Sequence, residues 1–182
     1  MNLFMIMIGC TPEGRYTEQH DIFFGIAENI SDLKQDLIDF WPEAKGKIHV
    51  DAWRKITVVD DYEITIISKN SGIEKEQHLF FLNLGGYKEG EFEEYHYKKL
   101  AIATKQSEAI KKAKKTTFYK HYGFKGAESH IDDKYGIDVD DVYKVEDILH
   151  PKFKEKYSIS ITETTSTKED KLHIGYLKLS AL

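Results

Sequence analysis

Short apolar runs alternate with polar, glycine-punctuated stretches along this chain, and the succession of runs occurs twice. Leu3-Phe4-Met5-Ile6-Met7-Ile8 ends at Gly9-Cys10, and Leu79-Phe80-Phe81-Leu82-Asn83-Leu84 ends at Gly85-Gly86. Continuous apolar runs of this length predict strands covered on both faces. A loop punctuated by Gly9, Pro12 and Gly14 follows the first run. A second strand is predicted over Asp21 to Ala27, with Lys98 to Ala103 as its counterpart. Next comes a helix: Ser31 is placed to cap it, Leu33, Leu37 and Trp41 lie four apart on one face, and Pro42 stops it. The second helix has Ser107 at the cap, Ala109, Ala113, Thr117 and Ile110 on its apolar face, and Gly123 at its end. Tyr62 to Ile67 and Val142 to Val145 then read as closing strands. Beyond them, Ser158 to Thr162 and Leu172 to Leu179 alternate apolar and polar residues about a Thr/Ser/Lys-rich segment, which predicts a β-hairpin.

The two successions share identical residues at fixed offsets. An offset of 76 pairs Leu3, Phe4, Gly9, Glu13, Gly14, Glu18, His20, Ile26 and Ala27 with identical residues. Further on, an offset of 81 pairs His49 and Asp51 with His130 and Asp132, and Ile56, Val58, Asp60 and Tyr62 with Ile137, Val139, Asp141 and Tyr143. The expected fold is therefore α+β: an internally duplicated β-β-α-β-β unit in pseudo-two-fold arrangement, with helices packed on antiparallel or mixed sheet. Residues 1–67 form the first repeat, 68–78 a polar connector, 79–150 the second repeat, and 151–182 the C-terminal hairpin.

Composition narrows the function classes. The 182 residues are 41% hydrophobic and 13% aromatic, enough for a buried core. A net charge of -5 argues against a general nucleic-acid binder, which needs a basic field to meet phosphates. Lys111, Lys112, Lys114 and Lys115 read as a solvated helix face. The single cysteine permits no internal disulfide and no cysteine-held zinc. Met5 to Ile8 before Gly9-Cys10 superficially resembles a lipoprotein cleavage site, but no Lys or Arg precedes it and the run is too short to span a membrane. The expectation is a soluble cytoplasmic protein with no membrane association.

The polar residues repeated in both halves are the candidates for chemistry. Glu-x-His occurs as Glu18 with His20 and as Glu94 with His96; His-x-Asp occurs as His49 with Asp51 and as His130 with Asp132. Residues two apart on a strand point to one face, so each pair can present imidazole and carboxylate together. Those groups suit zinc, manganese or non-haem iron, with His20, His49, His96 and His130 as candidate ligands to a divalent metal. Without metal they can supply a general base and its orienting carboxylate. They can equally fix loops by hydrogen bonding, a role both copies would keep.

Three residues of the first half are less readily paired. Only four residues lie between Cys10 and Arg15 where a phosphatase loop needs five between them, so Cys10 reads as a small buried strand-end residue. Arg15 is placed to grip an anion or pair with a carboxylate. Trp53, two residues after Asp51, shares its face if the strand runs regularly, and can floor a pocket or pack in a core. No dinucleotide fingerprint, P-loop or serine elbow is present.

The run from Leu3 to Gly9, with Glu18-Gln19-His20-Asp21, His49-Val50-Asp51-Ala52-Trp53 and Leu79 to Tyr87, resembles a bacterial family catalogued as a domain of unknown function, number 1543 of that series. His130-Ile131-Asp132-Asp133 with Val139-Asp140-Asp141 resembles its second-copy pattern, and the resemblance spans about residues 3 to 150. It implies a bacterial cytoplasmic protein carrying the unit in tandem, and brings no activity, cofactor or catalytic residue to carry over.

Two functions remain open. One is a non-catalytic ligand-binding or interaction module, with a small molecule, a protein or a second copy of the chain as partner, the hairpin edge being suited to strand pairing. The other is a metal-dependent, hydrolase-like enzyme using the duplicated pairs. Convergence of the histidines favours the second reading and dispersal favours the first.

Overall fold

Strand β1 (Asn2–Cys10) forms where the first apolar run predicts it, and both of its long edges are paired. On one side lies β2 (Gln19–Ala27) and on the other β3 (His49–Ile56), both antiparallel. The computed structural model describes residues 1–69, 76–87, 90–115, 138–166 and 168–182. It is a mixed α+β structure with antiparallel sheets, in two units: Met1–Ile73 with Leu149–Leu182, and Glu74–Ile148.

The first unit holds two sheets. The larger has the order β10-β3-β1-β2, where β10 is His173–Lys178. The smaller is β4-β5-β9, from Val58–Val59, Tyr62–Ser68 and Tyr157–Glu163. Directly opposed residues on neighbouring strands share a face. On one face of the larger sheet, Phe4 and Ile6 oppose Gly25 and Phe23. Leu33, whose methyls would lie 2.9 Å from a Cβ at Gly25, packs on this face just ahead of α1 (Lys34–Phe40), which buries Leu37. The other face carries Met5, Met7 and Gly9 opposite Phe24, Ile22 and His20.

Helix entry differs from expectation. A 3-10 turn, Ile30–Leu33, precedes α1, and the Asp32 carboxylate accepts the Asn29 N–H at 2.9 Å, so Asp32 rather than Ser31 ties down the start. As the pattern predicts, α1 ends at Phe40, two residues before Pro42.

The second unit is built on β6 (His78–Tyr87), flanked by β7 (Glu94–Ala103) and β8 (Asp138–Lys144). Its core is Phe80, Leu82, Leu84, Ala101 and Ala103 with Ala109 and Ala113 of α2 (Gln106–Lys114). Ser107 falls inside the first turn of α2. Glu108 instead closes the helix start, accepting the Thr104 N–H and hydroxyl at 3.0 Å each. Thr117 and Gly123 lie outside the described residues. A short helix α3 (Val145–Ile148) follows β8, so Val145 belongs to a helix and not to a strand.

Two expectations about strand partners are corrected. Val142–Lys144 is not the counterpart of β5: β8 lies beside β6 as β3 lies beside β1. The C-terminal strands are not a hairpin. After helix α4 (Pro151–Lys156), β9 pairs with β5, whereas β10 pairs with β3 in the other sheet. Alternating polarity predicts a strand but not its partner. The intervening segment is long enough to cross between sheets, and Asp170 anchors it by accepting the Thr57 N–H at 3.0 Å and hydroxyl at 2.6 Å.

Candidate functional site

Gly9 stands opposite His20 on one neighbouring strand and opposite His49 on the other. Between His49 and Met7's partner Ala52 the register shifts: Met7 opposes Ala52 and Ile8 opposes Val50, which leaves Asp51 as the extra residue of a β-bulge. The bulge turns the Asp51 carboxylate over Gly9. A Cβ on Gly9 would lie 2.6 Å from Asp51 Oδ2, 2.7 Å from His49 Nε2 and 3.1 Å from the His20 ring. The absence of a side chain there lets three polar groups close over the backbone. Glu18, immediately before β2, completes the cluster.

Carboxylates and imidazoles alternate around it. His20 Nε2 lies 3.4 Å from Glu18 Oε2 and 3.4 Å from Asp51 Oδ2; His49 Nε2 lies 2.9 Å from Glu18 Oε1 and 3.2 Å from Asp51 Oδ1. Each Nε2 carries at most one proton, so two nitrogens cannot donate to all four carboxylate oxygens facing them. Asp51 Oδ2 is buried with no hydrogen-bond donor. Such an oxygen is costly unless a positive charge or a donor meets it. The spacing itself suits a metal polyhedron. Ligand atoms about 2.0–2.2 Å from a metal stand about 2.8–3.1 Å apart at octahedral and about 3.3–3.6 Å apart at tetrahedral angles.

Burial is graded across the cluster. The His49 side chain is 11% exposed and Asp51 20%, while His20 and Glu18 are 40% and 45% exposed. One side is thus anchored in the sheet and the other faces solvent. Tyr176 of β10 lies with its ring centroid 4.5 Å from that of His49 and flanks the cluster. Cys10, the last residue of β1, is buried, and burial together with the Glu18 charge pushes its thiol pKa up, which suits a packed side chain and not a nucleophile.

The second unit repeats the arrangement at the same places. Gly85 opposes His96 on β7 and Asp138 on β8, and a register shift between Asn83 and Leu84 makes Asp140 the extra residue. His96 Nε2 lies 3.3 Å from Asp140 Oδ2 and 3.9 Å from Glu94 Oε2, and a ligand atom from each of the three residues lies within 4.8 Å of the others. The Asp140 carboxylate occupies the space a Cβ on Gly85 would need.

Of the residues singled out in the sequence, Glu18, His20, His49 and Asp51 come together, as do Glu94 and His96. Arg15 is exposed and makes no ion pair among the described residues. Trp53 is on the opposite face from Asp51, because the bulge reverses the alternation: it opposes Ile6, lies 6.1 Å from the Phe4 ring and stacks on His173 at 3.7 Å. His130 and Asp132 lie outside the described residues. The register positions of His49 and Asp51 are filled in the second unit by Asp138 and Asp140, an offset of 89 where the sequence match suggested 81. Sequence reasoning missed Asp140, although Val50, Asp51 and Lys55 recur at that offset as Val139, Asp140 and Lys144.

Residues 15–66 match the model of a domain of unknown function, DUF1543, and this segment carries Glu18, His20, His49 and Asp51. Among solved structures, the crystal structure of protein Il1583 from Idiomarina loihiensis is similar in fold, with a TM-score of 0.65 at 18% identity over 98% of this chain and 97% of that one. No match was found among curated proteins. Among the described residues no helix is long and apolar enough to cross a membrane.

Proposed function

We propose that this protein is a ligand-binding module, and that the ligand of its first unit is a divalent transition-metal ion held by Glu18, His20, His49 and Asp51. The observation that carries the reading is the buried Asp51 Oδ2, which has no donor in a carboxylate whose two oxygens face the His20 and His49 Nε2 atoms, both already shared with Glu18. Two imidazoles and two carboxylates form a donor set suited to zinc, manganese or iron. The matching bulge and glycine in the second unit support descent of both units from one duplicated ancestor. A reducing, cytoplasmic setting fits the single buried Cys10.

A metal-dependent, hydrolase-like activity is the second reading. Its support is the exposed flank formed by His20 and Glu18, which leaves the ion accessible to water or substrate, the condition that separates catalytic from closed structural sites.

The test is zinc binding by the chelator-stripped full chain, measured calorimetrically beside His49→Ala and Asp51→Asn variants whose folding is checked by circular dichroism. One ion bound by the wild type and lost in both folded variants supports the reading. Equal binding by all three, or none by the wild type, overturns it.

A further inference from the structure

We infer that the second unit carries its own cation site, formed by Glu94, His96 and Asp140 over Gly85, and that it takes a harder divalent ion of the manganese class, more weakly than the first unit takes a zinc-class ion. This deepens the metal reading of the first unit and rests on it for the contrast in ion class.

Three observations carry the inference. First, the ligand-type groups occur at matching register positions: Glu94 and His96 at those of Glu18 and His20, and Asp140 as the bulge residue that Asp51 is in the first unit. Each cluster closes over a glycine whose Cβ the carboxylate would strike.

Second, the donor set is harder. At the register position opposite the glycine where the first unit has His49, the second has Asp138, so only one imidazole remains among these positions. A set of one imidazole and two carboxylates leans away from zinc and toward manganese and magnesium. On the same face, Asn83 replaces Met7; its Nδ2 donates to Asp141 Oδ2 at 3.4 Å, while its Oδ1 is buried with no donor among the described residues. That orphaned amide oxygen is a neutral, hard acceptor beside the cluster.

Third, the second unit carries a cation of its own. Lys98 lies two residues along β7 from His96 and opposes Asn83, at the place Ile22 has in the first unit. Residues two apart on a strand share a face, so Lys98 stands on the face of β7 that carries His96. A resident positive charge repels an entering divalent ion and weakens its binding.

The experiment uses the chelator-stripped full chain, loaded with one equivalent of zinc and then titrated with manganese, the free ion being followed by electron paramagnetic resonance. The arms are wild type, Glu94→Gln/Asp140→Asn, His20→Ala/His49→Ala and Lys98→Ile, each checked for folding by circular dichroism. Manganese bound by the wild type and lost in folded Glu94→Gln/Asp140→Asn is the expected result. Lys98→Ile should tighten manganese by roughly three- to tenfold and leave zinc unchanged. Manganese uptake indifferent to Glu94→Gln/Asp140→Asn, or absent from the wild type, overturns the inference. Zinc uptake indifferent to His20→Ala/His49→Ala overturns the first-unit reading instead, and the manganese arms still decide the second site.

Discussion

Asp51 and Asp140 stand at the same place in two different sheets: each is the residue that a β-bulge leaves without a cross-strand partner, and each lays its carboxylate over a glycine of the central strand. A regular strand would send alternate residues to alternate faces. The extra residue lets His49 and Asp51 act on one side while Val50 and Trp53 face the other, and so fits a polar cluster onto a sheet whose opposite face packs in the core.

Gly9→Ala tests how closely the first cluster fits. The added methyl would meet Asp51 Oδ2 and His49 Nε2 at well under contact distance, so both must move. The expected cost is about 1–3 kcal/mol of stability. Zinc affinity should fall roughly 10- to 100-fold, as when the supports of metal ligands are disturbed. Denaturation and calorimetry together check this; unchanged affinity would show that the cluster does not need that approach.

Trp53→Ala separates the two faces. Its ring packs against Phe4 and His173 on the face away from Asp51. Stability should drop by about 2–3 kcal/mol for a partly buried aromatic while metal affinity stays within twofold. A large loss of binding in the folded variant would place Trp53 at the cluster after all.

Leu37→Ala tests the packing of α1. The Leu37 side chain is fully buried. Urea denaturation should show a loss of about 2–5 kcal/mol, the range for deleting a buried leucine side chain. A loss below 1 kcal/mol would mean that the site collapses around the gap.

Glu108 gives a pH-dependent signature in the second unit. Hydrogen bonds from the Thr104 N–H and then from its hydroxyl hold the Glu108 carboxyl below its ordinary value of 4.5. The folded value lies below the unfolded one, so the unfolded chain binds more protons and stability is lost as pH is lowered. The contribution is complete above the ordinary value and disappears as pH drops through the lowered one. Glu108→Gln should therefore melt below wild type at pH 7, and the two melting curves should converge as the medium is made more acid than 4.5. A gap that stays constant through that range would assign Glu108 another role.

Much of the fold was legible because burial leaves a trace in the sequence. The apolar runs at Leu3 and Leu79 gave both central strands, the Leu33–Leu37 spacing gave the buried helix face, and Glu18, His20, His49 and Asp51 were legible as a group. Partnering was not. Polarity along Ser158–Thr162 and Leu172–Leu179 fits any antiparallel neighbour, and long-range contacts such as Asp170 with Thr57 leave no local mark. Bulges are equally silent, and this is why Trp53 was expected beside Asp51. The offset of 81 arose because His-x-Asp at 130–132 imitates 49–51 more closely than Asp138-Val139-Asp140 does. A tripeptide match carries no register, and the positions beside the central strand's glycine belong to Asp138 and Asp140.

The return of β10 to the edge of β3 also orders events during synthesis. The larger sheet of the first unit is finished by residues 173–178, after the whole of Glu74–Ile148 has been made. A nascent chain can complete the second unit's strands while β3 still presents a bare edge and His49 still lacks the Tyr176 ring beside it. Closure of the first sheet therefore waits until the second unit's strands have been made, and the strand that closes it is the one that lays an aromatic ring beside His49.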